Sequence, residues 1–170
     1  NDTKKHIISL VGGGGKTTIM YELANYYAAA SKMVVVFTTT HIWLPRNSAA
    51  VVNCCTARSA YAADLSAVQR LWQQGGYAVI GTLEQGTGKL IAPAAELLEQ
   101  ALELCDIAII EADGAKQMPC KLPAEHEPVL LPESDIIIAV AGLDALGKSL
   151  EEACFRWQLG REIFGSSCNL

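Results

Sequence analysis

Residues 6–18 read His6-Ile7-Ile8-Ser9-Leu10-Val11-Gly12-Gly13-Gly14-Gly15-Lys16-Thr17-Thr18, and their reading decides the fold. The first residues are β-branched and apolar, too few for a helix, and stop at a glycine run, which predicts a strand buried on both faces. Behind the glycines, Ile19, Leu23, Tyr26, Tyr27 and Ala30 recur at helical spacing over residues 17–31. Strand, glycine loop and helix in direct succession suit phosphate. Glycines let backbone N–H groups close around oxygens without Cβ clashes, and the helix start adds its positive dipole end. Lys16 can reach the β and γ oxygens, and Thr17 can ligate magnesium. The expectation is a nucleoside triphosphate with Mg2+, held by Gly12, Gly13, Gly14, Gly15, Lys16, Thr17 and Thr18.

Outward from the loop, residues 33–39 predict a second buried strand close behind the helix, hence a βαβ unit and a parallel sheet. Such sheets bind ligands at the carboxyl ends of their strands, where Thr38, Thr39, Thr40 and His41 fall. His41 reads as a ligand or a donor to one, and otherwise as a strand-end cap. Tyr61, Leu65, Val68 and Leu71 predict a helix over residues 57–74, broken at Gly75-Gly76, after a polar loop with Pro45 and Asn47. Residues 77–80 read as a strand, and Gln85-Gly86-Thr87-Gly88 as the turn of a small hairpin with Leu90-Ile91. Pro93 suits the first turn of a helix to about residue 104, with Leu97, Leu98, Ala101 and Leu102 inward. Residues 106–111 and 136–140 predict two more strands, the last of them buried. Residues 142–170 are amphipathic around Leu150, Ala153, Phe155 and Leu159 and end without a further strand, which suggests truncation. The predicted architecture is an α/β, three-layer fold of the P-loop NTPase type with a mainly parallel sheet, in one nucleotide-binding domain over residues 1–170.

Magnesium held by a hydroxyl and phosphates needs a carboxylate nearby. Ile109-Ile110-Glu111-Ala112-Asp113-Gly114 offers two at the end of an apolar strand, and the sequence does not choose between Glu111 and Asp113. One is expected to hold the metal while the other orients water or substrate. The loop that follows, residues 112–132, is long enough to suggest function. Its prolines at 119, 123, 128 and 132 and its Lys116, Lys121 and His126 predict a lid that brings positive or titratable groups to an anionic substrate. Lys16, Glu111, Lys116 and His126 are the catalytic candidates.

Composition narrows the classes. At 170 residues and 51% hydrophobic content the chain suits one substantial core, and a formal charge of -5 leaves no electrostatic footprint for nucleic acid. No apolar run approaches the length of a membrane span, and the first residues lack a secretory apolar region, so the cytoplasm is expected. The six cysteines show no zinc-ligand spacing. Cys105 reads as a small buried hydrophobe, Cys54 and Cys55 as reduced thiols at a strand end. Cys120, beside Lys121, is a candidate reactive thiol whose pKa a cation would lower.

The long P-loop spacing would require glycine at position 10, where the chain has Leu10. The shorter Gly12-Gly13-Gly14-Gly15-Lys16-Thr17-Thr18 resembles the loop of the Mur-ligase group of ATP-dependent enzymes. Taken with Thr38-Thr39-Thr40-His41-Ile42, Glu111-Ala112-Asp113-Gly114-Ala115-Lys116, Pro123-Ala124-Glu125-His126-Glu127-Pro128 and Val140-Ala141-Gly142-Leu143-Asp144-Ala145-Leu146-Gly147, it resembles the YqeC family, over about residues 6–160. The resemblance implies an accessory protein for selenium-dependent molybdenum hydroxylases. The resemblance implies a bacterial or archaeal P-loop protein that uses ATP or GTP to mature or deliver a selenium-containing molybdenum cofactor. Its substrate would be a small anion, either a molybdopterin-type cofactor or a selenium donor, and its partner an apo molybdenum hydroxylase. It also implies that Thr38 to His41 face the nucleotide or metal and that the loop from Glu111 meets the second substrate. A ligase or small-molecule kinase, suggested by the loop spacing, and a nucleotide-gated cofactor chaperone remain alternatives. The absence of an Asn-Lys-x-Asp tetrapeptide favours ATP over GTP.

Overall fold

The computed structural model describes residues 4–43, 51–53 and 58–164. The loop around Pro45 and Asn47, Cys54 and Cys55, and the end of the amphipathic tail lie outside the described residues.

Strand β1 (His6–Gly12) enters the glycine loop and α1 (Lys16–Ala29) leaves it. Next come β2 (Val34–Thr38), β3 (His41–Trp43), β4 (Val51–Asn53), α2 (Arg58–Gln73), β5 (Ala78–Glu84), β6 (Lys89–Ile91), α3 (Ala95–Leu104) and β7 (Ile107–Glu111). The strands lie in the order β3-β6-β5-β2-β7-β1-β9, with β4 alongside β5 and β9 at Ile136–Val140. Pairings β1–β7, β1–β9, β2–β7, β2–β5 and β4–β5 are parallel. The hairpin β5–β6 and the pair β3–β6 are antiparallel.

Alternation along each strand divides the core. Ile7, Val35, Phe37, Ala108 and Ile110 pack on one face against Val68 of α2 and Leu97 and Ala101 of α3. Ile8, Leu10, Val34, Val36, Ile107 and Ile109 pack on the other against Met20, Ala24 and Ala28 of α1. Three layers result, and because both faces of the sheet are covered the strands read as continuous apolar runs.

Four expectations change. Residues 41–43 form a strand of their own rather than the end of β2. Helix α3 starts at Ala95, so Pro93 precedes it. Strand β9 is half exposed: Ile138 and Val140 join the α1 side, but Ile137 is 55% exposed because β9 is an edge with β1 as its neighbour. The tail, read as amphipathic and without a further strand, is broken into short elements that include one. It comprises a 3-10 turn (Leu143–Ala145), α4 (Leu150–Ala153), β10 (Cys154–Phe155) and α5 (Trp157–Phe164). Ser149 and Glu152 cap α4 reciprocally. Strand β10 pairs with β8 (Cys120–Lys121) of the long loop, so the tail is laid beside the carboxyl end of the sheet.

Candidate functional site

Leu10, Glu111 and Thr38 are register partners across β1, β7 and β2, so the glycine loop and Glu111 emerge side by side. The loop is shaped by its neighbours. A Cβ on Gly13 would lie 1.9 Å from the Pro119 carbonyl oxygen, and Gly15, which caps α1, takes φ 101°. Gly12 N–H donates to Asp113 (3.0 Å), Gly13 N–H to Val140 O (2.7 Å) and Gly14 N–H to Pro119 O (3.0 Å). These three amides fix the loop. A phosphate would therefore meet chiefly the N–H groups of Gly15, Lys16, Thr17 and Thr18, at the helix start, which a helix leaves without internal partners.

Lys16 is 3% exposed and folds back over the loop. Its Nζ donates to Gly12 O at 2.6 Å and Gly13 O at 3.3 Å and lies 3.1 Å from Asp113 Oδ1. Asp113, 2% exposed, also pairs with Lys121 at 3.2 Å. Lys121 reaches Glu127 at 2.5 Å, and Glu127 takes Arg156 Nη1 at 2.5 Å. Lys16, Asp113, Lys121, Glu127 and Arg156 thus form a run of alternating charge from the loop to the tail. Burial alone would raise the Glu127 carboxyl, but the hydrogen bonds from Lys121 and Arg156 outweigh it and hold it below its ordinary range. Lys121, expected to meet substrate, is instead committed to this run, its side chain 1% exposed.

Thr17 Oγ1 donates to Glu111 Oε2 at 2.7 Å. Burial pushes the Glu111 carboxyl up, against the Thr17 hydrogen bond and the charge of Lys16. One turn along α1, the Tyr21 hydroxyl is buried, has no hydrogen-bond partner among the described residues and feels the charge of Glu111. A hard cation fits these groups. Hydroxyl and carboxylate oxygens are magnesium donors, the under-compensated carboxylate gains from a positive charge, and a metal-bound water suits an orphaned hydroxyl. Among the described residues no three His, Cys, Asp or Glu cluster as metal ligands.

A cavity of about 700 Å³ opens over the loop, within the roughly 300–1,000 Å³ of small-molecule sites. Of the residues singled out in the sequence, Gly13, Gly14, Gly15, Lys16, Thr17, Thr40, His41, Glu111 and Lys116 line it. Gly12, Thr18, Thr39, Asp113 and His126 are not in its lining. Thr39 donates to Val129 O at 2.9 Å, Thr18 and His126 are exposed, and Gly12 and Asp113 lie beneath the loop. Thr38 supports the end of β7 by donating to Glu111 O at 2.8 Å. His41 lies 3.4 Å from Glu84. Sequence reasoning missed Trp43, Glu84, Lys89, Phe155 and Arg156, which also line the cavity. Trp43 had a signal, lying two residues beyond His41 on the same face of an extended segment. Phe155 and Arg156 arrive through a two-residue strand pairing, which has no periodicity to read. At the candidate thiol Cys120, burial and then the charge of Asp144 raise the pKa, which argues against activation.

No helix among the described residues is long and apolar enough to cross a membrane. Residues 8–158 match the family model described as YqeC protein. The chain is 35% identical over 160 residues to the Escherichia coli (strain K12) protein described as Uncharacterized protein YqeC. That alignment takes in 94% of this chain and 60% of the relative, so the chain spans less than two thirds of the relative's length. No solved structure matches the chain.

Proposed function

The chain belongs to the YqeC family, and from that premise and the geometry of the loop we propose that it binds a nucleoside triphosphate with Mg2+ and uses it on a small anionic substrate. The observation that carries this reading is the contact of Thr17 Oγ1 with Glu111 Oε2 at 2.7 Å, beside the buried ammonium of Lys16 at the mouth of a glycine loop. A helix-start hydroxyl, a strand-end carboxylate and a loop lysine are the parts that phosphoryl transfer requires.

Lys16 would leave the Gly12 and Gly13 carbonyls for the β and γ oxygens. Asp113 would still hold the Gly12 N–H and Lys121, so the loop keeps its shape while the lysine moves. Thr17 and Glu111 would hold Mg2+, which when bound neutralises charge on the β and γ phosphates. Asp113, its oxygens already engaged, serves the loop in this reading, and His126 has no part. The resemblance to accessory proteins of selenium-dependent molybdenum hydroxylases makes a phosphate-bearing molybdopterin-type cofactor the first substrate to test, with an apo-hydroxylase as its destination in the cytoplasm.

A thermal-shift panel of ATP, GTP and their non-hydrolysable analogues, with and without Mg2+, tests the proposal. A magnesium-dependent rise in Tm with one triphosphate is expected. No shift with any of them would remove nucleotide from the function.

A further inference from the structure

Four non-glycine residues among those described have positive φ, and three of them, Lys116 (48°), Gln117 (64°) and Arg156 (64°), line the same cavity. Such backbone is costly for residues with a Cβ and persists where the surroundings enforce it, typically around ligands. What enforces it here is visible. Strand β8 pairs with β10, Leu122 N–H donates to Phe155 O at 3.0 Å, and Met118 N–H donates to Ala115 O at 2.9 Å.

The strained residues bring two cations to one ring. Lys116 Nζ lies 5.1 Å from the centroid of Phe155, and Arg156 Cζ lies 4.8 Å from it. Lys116 is exposed and makes no ion pair among the described residues. Arg156 gives Nη1 to Glu127, one of its five N–H donors. Glu127 is itself shared with Lys121, so Arg156 is oriented without being neutralised by a carboxylate of its own. The pair shares the cavity with the glycine loop but is no part of it, and the triphosphate reading draws on Lys16 and the first-turn amides without it.

We propose that Lys116 and Arg156, braced on Phe155, form a second-ligand subsite that clamps an oxyanion, phosphate or carboxylate, of a small molecule seated in the cavity opposite the triphosphate. The inference deepens the nucleotide reading by naming the substrate class and its contacts.

Calorimetric titration of inorganic phosphate, and separately of succinate, into protein saturated with Mg2+ and a non-hydrolysable ATP analogue tests it. One anion per chain is expected, and the stronger arm identifies phosphate or carboxylate. Lys116→Gln and Arg156→Gln should each weaken that anion about tenfold or more, as loss of a charged hydrogen-bond partner does. Arg156→Lys should recover part of the loss. Lys116 is exposed, so its variant keeps the test valid if Arg156→Gln fails to fold. The proposal is overturned if no second anion binds, if both variants bind it as the parent does, or if analogue affinity falls in parallel. Should the parent take no analogue, the nucleotide reading fails separately. Phosphate titrated into the nucleotide-free protein then decides: dependence on Lys116 upholds the subsite, and dependence on Lys16 alone overturns it.

Discussion

At the amino end of β1, Asp135 accepts the Ile7 N–H at 2.8 Å and contacts the His6 ring at 2.8 Å; at the carboxyl end, Asp113 accepts the Gly12 N–H at 3.0 Å. The bond to the strand is the same, but the setting is not. The Asp135 side chain is 28% exposed, and its depressed pKa comes chiefly from the Ile7 amide. The Asp113 side chain is 3% exposed and lies between two nearly buried lysines, 3.1 Å from Lys16 and 3.2 Å from Lys121. Solvent compensates the first carboxylate if a partner is lost, whereas the second has only its partners. A strand end is tied down in both cases, and only one tie is coupled to the site.

The sharpest way to break this contrast is Asp113→Asn, which leaves two buried lysines short of a counter-charge. Breaking a buried pair costs about 3–5 kcal/mol, so a urea melt should show a loss of that order. Calorimetry should show weaker triphosphate binding in EDTA and in Mg2+ alike. A loss confined to Mg2+ would return Asp113 to the metal.

Glu127→Gln acts one step further along the charge run. Charged hydrogen bonds contribute about 1.5–3 kcal/mol, and a loss in that range is expected at neutral pH. Because the folded pKa of Glu127 is depressed, its contribution is complete above the unfolded value near 4.5 and disappears as pH falls through the folded value. Melts of parent and variant should therefore differ at neutral pH and converge on acidification below 4.5. A constant gap would show that the carboxylate charge is not what matters.

Glu111→Gln should separate stability from binding. A carboxyl whose folded pKa is raised by burial makes the fold less stable as pH rises through that window, so removing its charge should leave the nucleotide-free protein unchanged or firmer by up to ~1 kcal/mol. The magnesium-dependent part of nucleotide affinity should vanish. Asp135→Asn, the smallest perturbation, should cost within about 1 kcal/mol, shrink in high salt and leave nucleotide binding untouched.

These outcomes bear on what the sequence could reveal. The strand, loop and helix of residues 6–29 were legible because apolar run, glycine cluster and helical period change in turn. The adjacency of Thr17 and Glu111 followed from placing both at carboxyl ends of one sheet. The hairpin at Gly86 and Gly88 was legible from turn chemistry, both glycines having positive φ. Glu111 and Asp113 were indistinguishable, because two carboxylates flanking one alanine carry the same signal until tertiary packing gives one a hydroxyl and the other two lysines. Lys121 is expected at the substrate and Arg156 carries no signal, because only the β8–β10 pairing turns the first inward and brings the second to the cavity. The exposed face of β9 was hidden because Ile136-Ile137-Ile138 reads alike at an edge and in a centre.

The central claim is that Lys16 belongs to a triphosphate site and is only parked on the Gly12 and Gly13 carbonyls. Calorimetric titration of a non-hydrolysable ATP analogue with Mg2+ onto the parent and Lys16→Ala, with a circular-dichroism melt to show that the variant is folded, tests it most directly. The account predicts one site per chain in the parent and a loss of affinity of about 100-fold or more in the variant, since the ammonium contacts the phosphate oxygens directly. Affinity in the folded variant within about twofold of the parent would contradict it, and would leave Lys16 as a buried partner of Asp113 with no part in binding phosphate.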